Sequence, residues 1–253
     1  MRVDGRRLEV ARYAGRSRGR PIVLLHEGLG SVAMWRDFPA RLAARTGRTV
    51  VAYSRWGYGA SEALAGAREV AYMHREGEVV LPGLLAQLGC ERPVLFGHSD
   101  GASIALIAAG AHPDLAAALI LEAPHVFVED LSIASIEQAR AAWATTNLPA
   151  RLSRYHDDPQ GAFRGWNDIW LDPRFRAWNI EASADAVRCP VLVVQGDRDE
   201  YGTYEQIARI VRRIPGAESM LVAGAGHSPH RDAPEAVLER VAAFLDAHVP
   251  AAG

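Results

Sequence analysis

Six short apolar runs punctuate the chain, at 21–25, 49–53, 93–96, 118–121, 191–194 and 219–222. Each is nearly continuous rather than alternating, the pattern of strands buried on both faces of a parallel sheet. Between them the apolar spacing changes to that of helices. Trp35, Phe38 and Leu42 repeat at helical intervals, and Thr46-Gly47 closes that segment. Leu81, Leu84, Leu85 and Leu88 mark a second helix that ends at Gly89, with Pro82 either kinking it or lying near its start. Residues 204–214 and 234–247 supply two more. Near the start of the chain, Asp4-Gly5 reads as a hairpin turn between two short strands. Strands and helices alternating in this way predict an α/β sandwich.

One interval breaks the rhythm. Residues 125–188 contain no strand pattern, yet they hold Trp143, Trp166, Trp170 and Trp178, four of the chain's six tryptophans, together with Phe127, Tyr155, Phe163 and Phe175. A connection this long folds on itself or carries function. It is read as a mostly helical cap inserted into a core domain made of residues 1–124 and 189–253. Some of the aromatics pack the cap's own core, and at least one of the four tryptophans is expected to line a pocket beneath it.

Composition narrows the function classes. A chain of 253 residues with 49% hydrophobic content builds one large core. A formal net charge of −2, with dispersed arginines, gives no electrostatic case for nucleic acid or an anionic membrane surface. No apolar stretch approaches the ~18 residues of a bilayer span. The first residues lack a charged-then-apolar leader, so a cytoplasmic location is expected. Cys90 and Cys189 each precede a predicted core strand, with another strand between them. Strands spaced by about 4.8 Å would keep them too far apart for a disulfide, which predicts two free thiols in a reducing compartment.

The chemistry concentrates in one pentapeptide. Gly97-His98-Ser99-Asp100-Gly101 lies between the apolar run Val94-Leu95-Phe96 and a small-residue run at 102–109. It reads as a strand, one sharp turn and a helix, with a serine at the apex. The turn lifts the hydroxyl clear of the sheet edge, and flanking glycines let strand and helix cross closely. The helix N-terminus favours developing negative charge beside it. Further on, Val191-Leu192-Val193-Val194-Gln195-Gly196-Asp197-Arg198-Asp199 is a strand running into an acidic loop, and Ala223-Gly224-Ala225-Gly226-His227 is a strand end with a histidine loop. The order Ser99, Asp199, His227 suits a nucleophile, an orienting acid and a general base, all at strand C-terminal ends. Glu122, at the end of another strand, is a second carboxylate from which the histidine can be oriented.

These residues resemble the α/β-hydrolase superfamily in its cap-bearing serine-hydrolase branch. The resemblance spans residues 21–245. Beyond the segments already quoted, it is carried by Leu24-Leu25-His26-Glu27-Gly28, with Trp35 nine residues after His26, and by Gly57-Tyr58-Gly59-Ala60-Ser61. It implies a mostly parallel eight-stranded sheet flanked by helices, with the cap between the sixth and seventh strands. It also implies roles: Ser99 attacks a carbonyl, His227 takes and returns the proton, and Asp199 holds the imidazole. The backbone N–H groups of Asp100 and Gly28 would receive the oxyanion.

Neighbouring polar residues are read as structural. His98 and Asp100 turn their side chains away, while Asp197 and Glu200 are solvated loop carboxylates. His227, His230 and Asp232 are close in sequence but are not assigned as a metal set, because the histidine fits the triad better. Two positions depart from the family pattern. Glu27 stands where a glycine is usual, beside the oxyanion site, and its side chain is expected at the pocket mouth with a bearing on substrate choice. Ser54-Arg55-Trp56 replaces a stretch that usually carries an aspartate, with an expected effect on loop packing only.

The functional expectation is a cofactor-independent, carboxylesterase-like serine hydrolase of a small, largely apolar ester, with Glu27, Trp143, Trp166, Trp170 and Trp178 as substrate-contacting residues. A lactone is the nearest variant substrate, and C–C bond hydrolysis of a dienoic diketone is a rival within the family. From a different class, a catalytically silent scaffold would bind a ligand in the same pocket.

Overall fold

Arg2–Val3 (β1) and Arg6–Arg7 (β2) pair antiparallel around Asp4-Gly5, as the hairpin signal predicts. This ribbon stays a separate two-stranded sheet. The computed structural model of the chain describes residues 1–16 and 19–250; residues 17, 18 and 251–253, which the expected core segments include, lie outside the described residues.

The main sheet is built from Glu9–Tyr13 (β3), Ile22–Leu25 (β4), Val50–Ser54 (β5), Val94–His98 (β6), Ala118–Glu122 (β7), Val191–Gly196 (β8) and Glu218–Val222 (β9). Their spatial order is β3-β5-β4-β6-β7-β8-β9. Only β3 runs antiparallel to its neighbour; every other pairing is parallel. Among the described residues the sheet therefore has seven strands rather than the expected eight, because the two hairpin strands stay apart from it while β3, outside the six apolar runs, joins its edge. The strand that ends at Glu122 is accordingly the fifth of the sheet in chain order, not the sixth.

The continuous apolar runs are explained by two buried faces. Val23, Leu25, Val51, Tyr53, Leu95, Leu119, Leu121 and Val193 point to one core, which includes the apolar residues of Leu81–Leu88 (α3), Asp100–Ala111 (α4) and Glu205–Arg213 (α8). Their sequence neighbours Ile22, Leu24, Val50, Ala52, Val94, Phe96, Ile120 and Leu192 point to the other, under Phe38–Thr46 (α1) and Pro234–His248 (α10). Each fully buried Leu, Ile or Val contributes about 1.5–3 kcal/mol, so both faces must be apolar. At the sheet edge the rule relaxes. β9 has one neighbour and alternates, leaving Leu221 52% exposed.

Helix ends follow the expected signals, with α1 and α3 closing at Gly47 and Gly89 in left-handed conformation. Pro82 lies inside a longer helical run that starts at Tyr72–Arg75 (α2) and passes through a π turn, Glu76–Val80, into α3. The π turn sits where the proline's missing N–H removes a ladder bond.

Between β7 and β8 the chain forms Asp130–Thr145 (α5), Leu148–Leu152 (α6) and Pro159–Trp170 (α7), then two 3₁₀ turns, Pro173–Ala177 and Glu181–Ala186. An isolated bridge, Phe127 to Asn179, is the extended pairing here among the described residues. Pro229–Asp232 (α9) follows β9. Cys90 and Cys189 are free and buried, with β7 between the strands they precede; burial raises both thiols, Cys189 to about 11. Among the described residues no helix is long and apolar enough to cross a membrane.

Candidate active site

Ser99 leaves β6 at φ 53° and ψ −119°, a conformation that non-glycine residues rarely adopt and that costs about 1–3 kcal/mol. The Ser99 N–H donates to the Glu122 carbonyl at 2.8 Å, anchoring the turn to the end of β7. The flanking glycines are required sterically. A Cβ on Gly97 would lie 2.3 Å from the Gly101 oxygen, and one on Gly101 would lie 2.0 Å from the Leu25 oxygen. Asp100 opens α4, so its N–H has no carbonyl one turn earlier to receive it.

The loops after β8 and β9 bring two more side chains to this apex. His227 Nε2 lies 2.9 Å from Ser99 Oγ, and His227 Nδ1 lies 2.8 Å from Asp199 Oδ1. An ionised carboxylate can only accept, so Nδ1 carries a proton and, in the neutral ring, Nε2 is free to accept from the serine hydroxyl. Asp199 is itself fixed by the Tyr201 N–H at 2.9 Å and by Gln195 Nε2 at 3.2 Å. Burial pushes its carboxyl up, but the His227 charge and hydrogen bond and the Tyr201 N–H outweigh this and bring it to about 2. The His227 backbone is held on both sides. Its N–H donates to Glu200 at 3.1 Å, and its carbonyl accepts from His98 Nε2 at 2.7 Å. Glu200 is exposed, as expected of a solvated loop carboxylate, and it also lines the wall of the site.

A cavity of about 220 Å³ lies over Ser99, lined also by Gly28, Asp100, Trp166, Trp170 and His227. The loop carrying Gly28 is clamped from below by Arg55, which is fully buried. Its guanidinium donates to the carbonyls of His26 and, at 2.9 Å, of Glu27, and lies 3.8 Å from Asp100. The substitution of Arg55 thus does more than pack a loop: it holds the backbone beside Ser99. The Asp100 side chain turns away from the cavity to Tyr72 at 2.6 Å and Trp170 Nε1 at 3.2 Å, as expected.

Glu27 lines the cavity mouth, but its carboxylate is committed to His98, with Nδ1 to Oε2 at 3.5 Å. Burial works against the charge on His98. The Glu27 hydrogen bond and charge, reinforced by Glu122, nevertheless raise it to about 9. The same partner holds Glu27 well below the usual carboxylate range. The carboxylate beside the site thus faces a buried imidazole whose charged form it favours.

Several expected residues go elsewhere. Glu122 does not reach His227; its Oε1 pairs with His230 Nδ1 at 2.6 Å, because the end of β7 aims it toward α9. Asp232 accepts from the Gly226 N–H at 3.0 Å, so His227, His230 and Asp232 each serve a different partner. Ligand-type atoms of His98, Glu122 and His230 instead fall within 4.8 Å of one another, in a buried cluster where Glu122 Oε1 pairs with His230 Nδ1 and His98 Nε2 with the His227 carbonyl. Of the four tryptophans, Trp166 and Trp170 line the cavity. Trp143 stacks on Phe163 at 4.3 Å and Trp178 on Phe175 at 5.3 Å, both spent on packing. The structure adds His125, Tyr201, Ile136 and Ser132 to the cavity wall. Burial drives His125 down to about 3, leaving it neutral. Its place just past the end of β7 was the one available sequence signal.

A parallel sheet with its polar residues at the strand ends, an elbow serine and a histidine–carboxylate pair defines a hydrolase-like site. A sequence profile of the alpha/beta hydrolase family matches residues 22–240, and the chain belongs to that family. It is 24% identical to 2-(acetamidomethylene)succinate hydrolase of Mesorhizobium japonicum over 258 residues, covering 90% of this chain and 88% of the relative. Among solved structures, it superposes on proline iminopeptidase of Mycobacterium smegmatis with a TM-score of 0.80 at 21% identity, covering 98% of this chain and 97% of the other. The enol-lactonase of Burkholderia xenovorans LB400 gives 0.76 at 21% identity, covering 96% and 98%.

Proposed function

We propose that this chain is a serine hydrolase that cleaves a small carboxylic ester through an acyl-enzyme. The observation that carries the reading is the unbroken line Ser99 Oγ, His227 Nε2, His227 Nδ1, Asp199 Oδ1, with steps of 2.9 and 2.8 Å. Ser99 Oγ attacks the ester carbonyl as its proton passes to His227 Nε2. Asp199 holds the ring in the required tautomer and stabilises the imidazolium. The tetrahedral oxyanion is received by the N–H groups of Asp100 and Gly28, the former at a helix N-terminus that favours negative charge. Collapse expels the alcohol, which takes the proton from Nε2, and leaves the acyl group on Ser99. Water then repeats the sequence, activated by the same histidine, and releases the acid.

Residues 125–188 act in this reading as a cap, with 1–124 and 189–253 as the core. Trp166 and Trp170 descend from α7 onto the cavity, and with Ile136 they give the acyl group an apolar wall. A lactone fits the same steps, since ring opening is acyl transfer with the leaving alcohol still attached.

A fluorophosphonate probe and aryl-ester turnover test the proposal. The probe is expected on Ser99 by peptide mass spectrometry, and Ser99→Ala is expected to lose labelling and ~10⁴-fold or more in kcat while remaining folded. Ester hydrolysis undiminished in Ser99→Ala would remove the proposal. A folded protein that binds small ligands but neither labels nor turns over would be the silent scaffold.

A further inference from the structure

A second cavity of about 260 Å³ adjoins the one over Ser99, sharing Glu27, Ser228 and Arg231 as walls. Arg36, Arg151, Arg154 and Arg231 line it, and Glu27 is its one carboxylate. That carboxylate already faces the buried His98, 3.5 Å away, and four guanidinium groups outnumber it around the cavity. Among the described residues, Arg36, Arg151 and Arg154 form no ion pair, and Arg231 reaches only the adjacent Asp232, at 3.4 Å. Elsewhere on the surface Arg209, Arg213 and Arg240 each have a carboxylate partner. Arg36 is also held at φ 53° and ψ −123°, nearly the backbone conformation of Ser99 itself. Side chains kept in that region cluster at ligand sites.

We propose that this cavity is a subsite for a terminal oxyanion, carboxylate or phosphate, on the end of the substrate remote from the carbonyl that Ser99 attacks. The proposal rests on the reading of Ser99 as nucleophile and names the substrate class it serves: an ester with an apolar middle, held against Trp166 and Trp170, and an anionic tail. Guanidinium groups suit that tail because their planar forks match carboxylate and phosphate oxygens two at a time. The four converge from three separate segments, the turn before α1, the α6 region and α9, so a single ligand group can bridge parts of the fold that sequence does not connect.

The test compares 4-nitrophenyl esters whose acyl chains end in a free carboxylate, in a phosphonate, or in an uncharged methyl ester of the same length. At low ionic strength the better of the two charged esters is expected to exceed the neutral one in kcat/KM by about 10-fold or more, through KM, as one charge-assisted bond would give. Added salt should shrink that ratio. In the double variant Arg151→Gln, Arg154→Gln the ratio should fall toward one; both side chains are exposed, so the fold is expected to survive. A ratio at or below one in the unaltered protein, or a ratio unchanged in the variant, overturns the subsite. Failure of all the esters to turn over would instead strike the Ser99 reading. In that event calorimetric titration with glutarate decides the subsite on its own: binding that the double variant loses supports it, and absent or unchanged binding overturns it.

Discussion

Asp199 with His227 and Glu122 with His230 are nearly the same pair in chemical terms. In each, a buried carboxylate oxygen meets histidine Nδ1, at 2.8 and 2.6 Å. Both carboxyls sit below their ordinary range, burial opposing the ionised form and the histidine's charge and hydrogen bond outweighing it. The difference is what surrounds the rest of the ring. His227 presents Nε2 to Ser99 at the floor of a cavity. The His230 ring lies against Trp35 at 4.8 Å and Phe38 at 5.1 Å, and its backbone N–H also binds Glu122 at 3.2 Å. One pair is aimed at a hydroxyl and the other ties α9 to the end of β7. A carboxylate–histidine contact is thus no sign of catalysis until its second nitrogen has somewhere to send a proton.

Substituting the two acids is the strongest way to break this contrast. Asp199→Asn is expected to lower kcat by ~10⁴-fold, as loss of the correct tautomer does in a triad. Glu122→Gln should leave kcat within a few-fold but reduce stability by about 1–3 kcal/mol, because the charge facing His230 is lost and a buried amide NH2 takes the place of the unpartnered Oε2. Steady-state kinetics and urea unfolding of both variants check the pair, and the opposite ranking would pass the orienting role to Glu122.

A smaller effect separates the tryptophans. Trp166→Ala opens the cavity wall and should raise KM for esters with bulky apolar acyl groups by about 10-fold, ~1.4 kcal/mol, with less change for acetyl esters. Trp143→Ala removes only its stack on Phe163 and should lower Tm while leaving the chain-length profile unaltered. A profile that moves equally in both variants would contradict the assignment of Trp166 to the cavity.

The third pair, Glu27 with His98, sharpens the comparison through pH. His98 has its folded value raised to about 9 from an ordinary value near 6.5. A raised base stabilises the fold fully below its unfolded value and loses that contribution as pH rises through the folded one. Glu27→Gln removes the main source of the shift. The variant is therefore expected to melt below the unaltered protein at pH 6 and to approach it between pH 6.5 and 9. Melting temperatures measured across that window check the linkage, and a gap that stays constant would mean that Glu27 does not hold the charge on His98.

Much of the site was legible in the sequence because its pieces are local. The elbow needs glycines on either side of Ser99 for reasons contained within one turn. Asp199 and His227 each end an apolar run, which places them at the same edge of a parallel sheet whatever the loops do. The apolar periodicity likewise determined the strands of the main sheet other than β3, an edge strand with no continuous apolar run, and helices that flank them. What tertiary structure alone decided are the choices between chemically similar residues. Which carboxylate takes His227, which tryptophans reach the cavity, that Glu27 faces His98, that Arg55 clamps the loop beside Ser99, and that arginines from three segments share one cavity all depend on side chains far apart in the chain. Hydrogen bonds and ion pairs act over a few ångströms, so such partners are set by how the elements pack, and a linear pattern that records only neighbours along the chain cannot contain them.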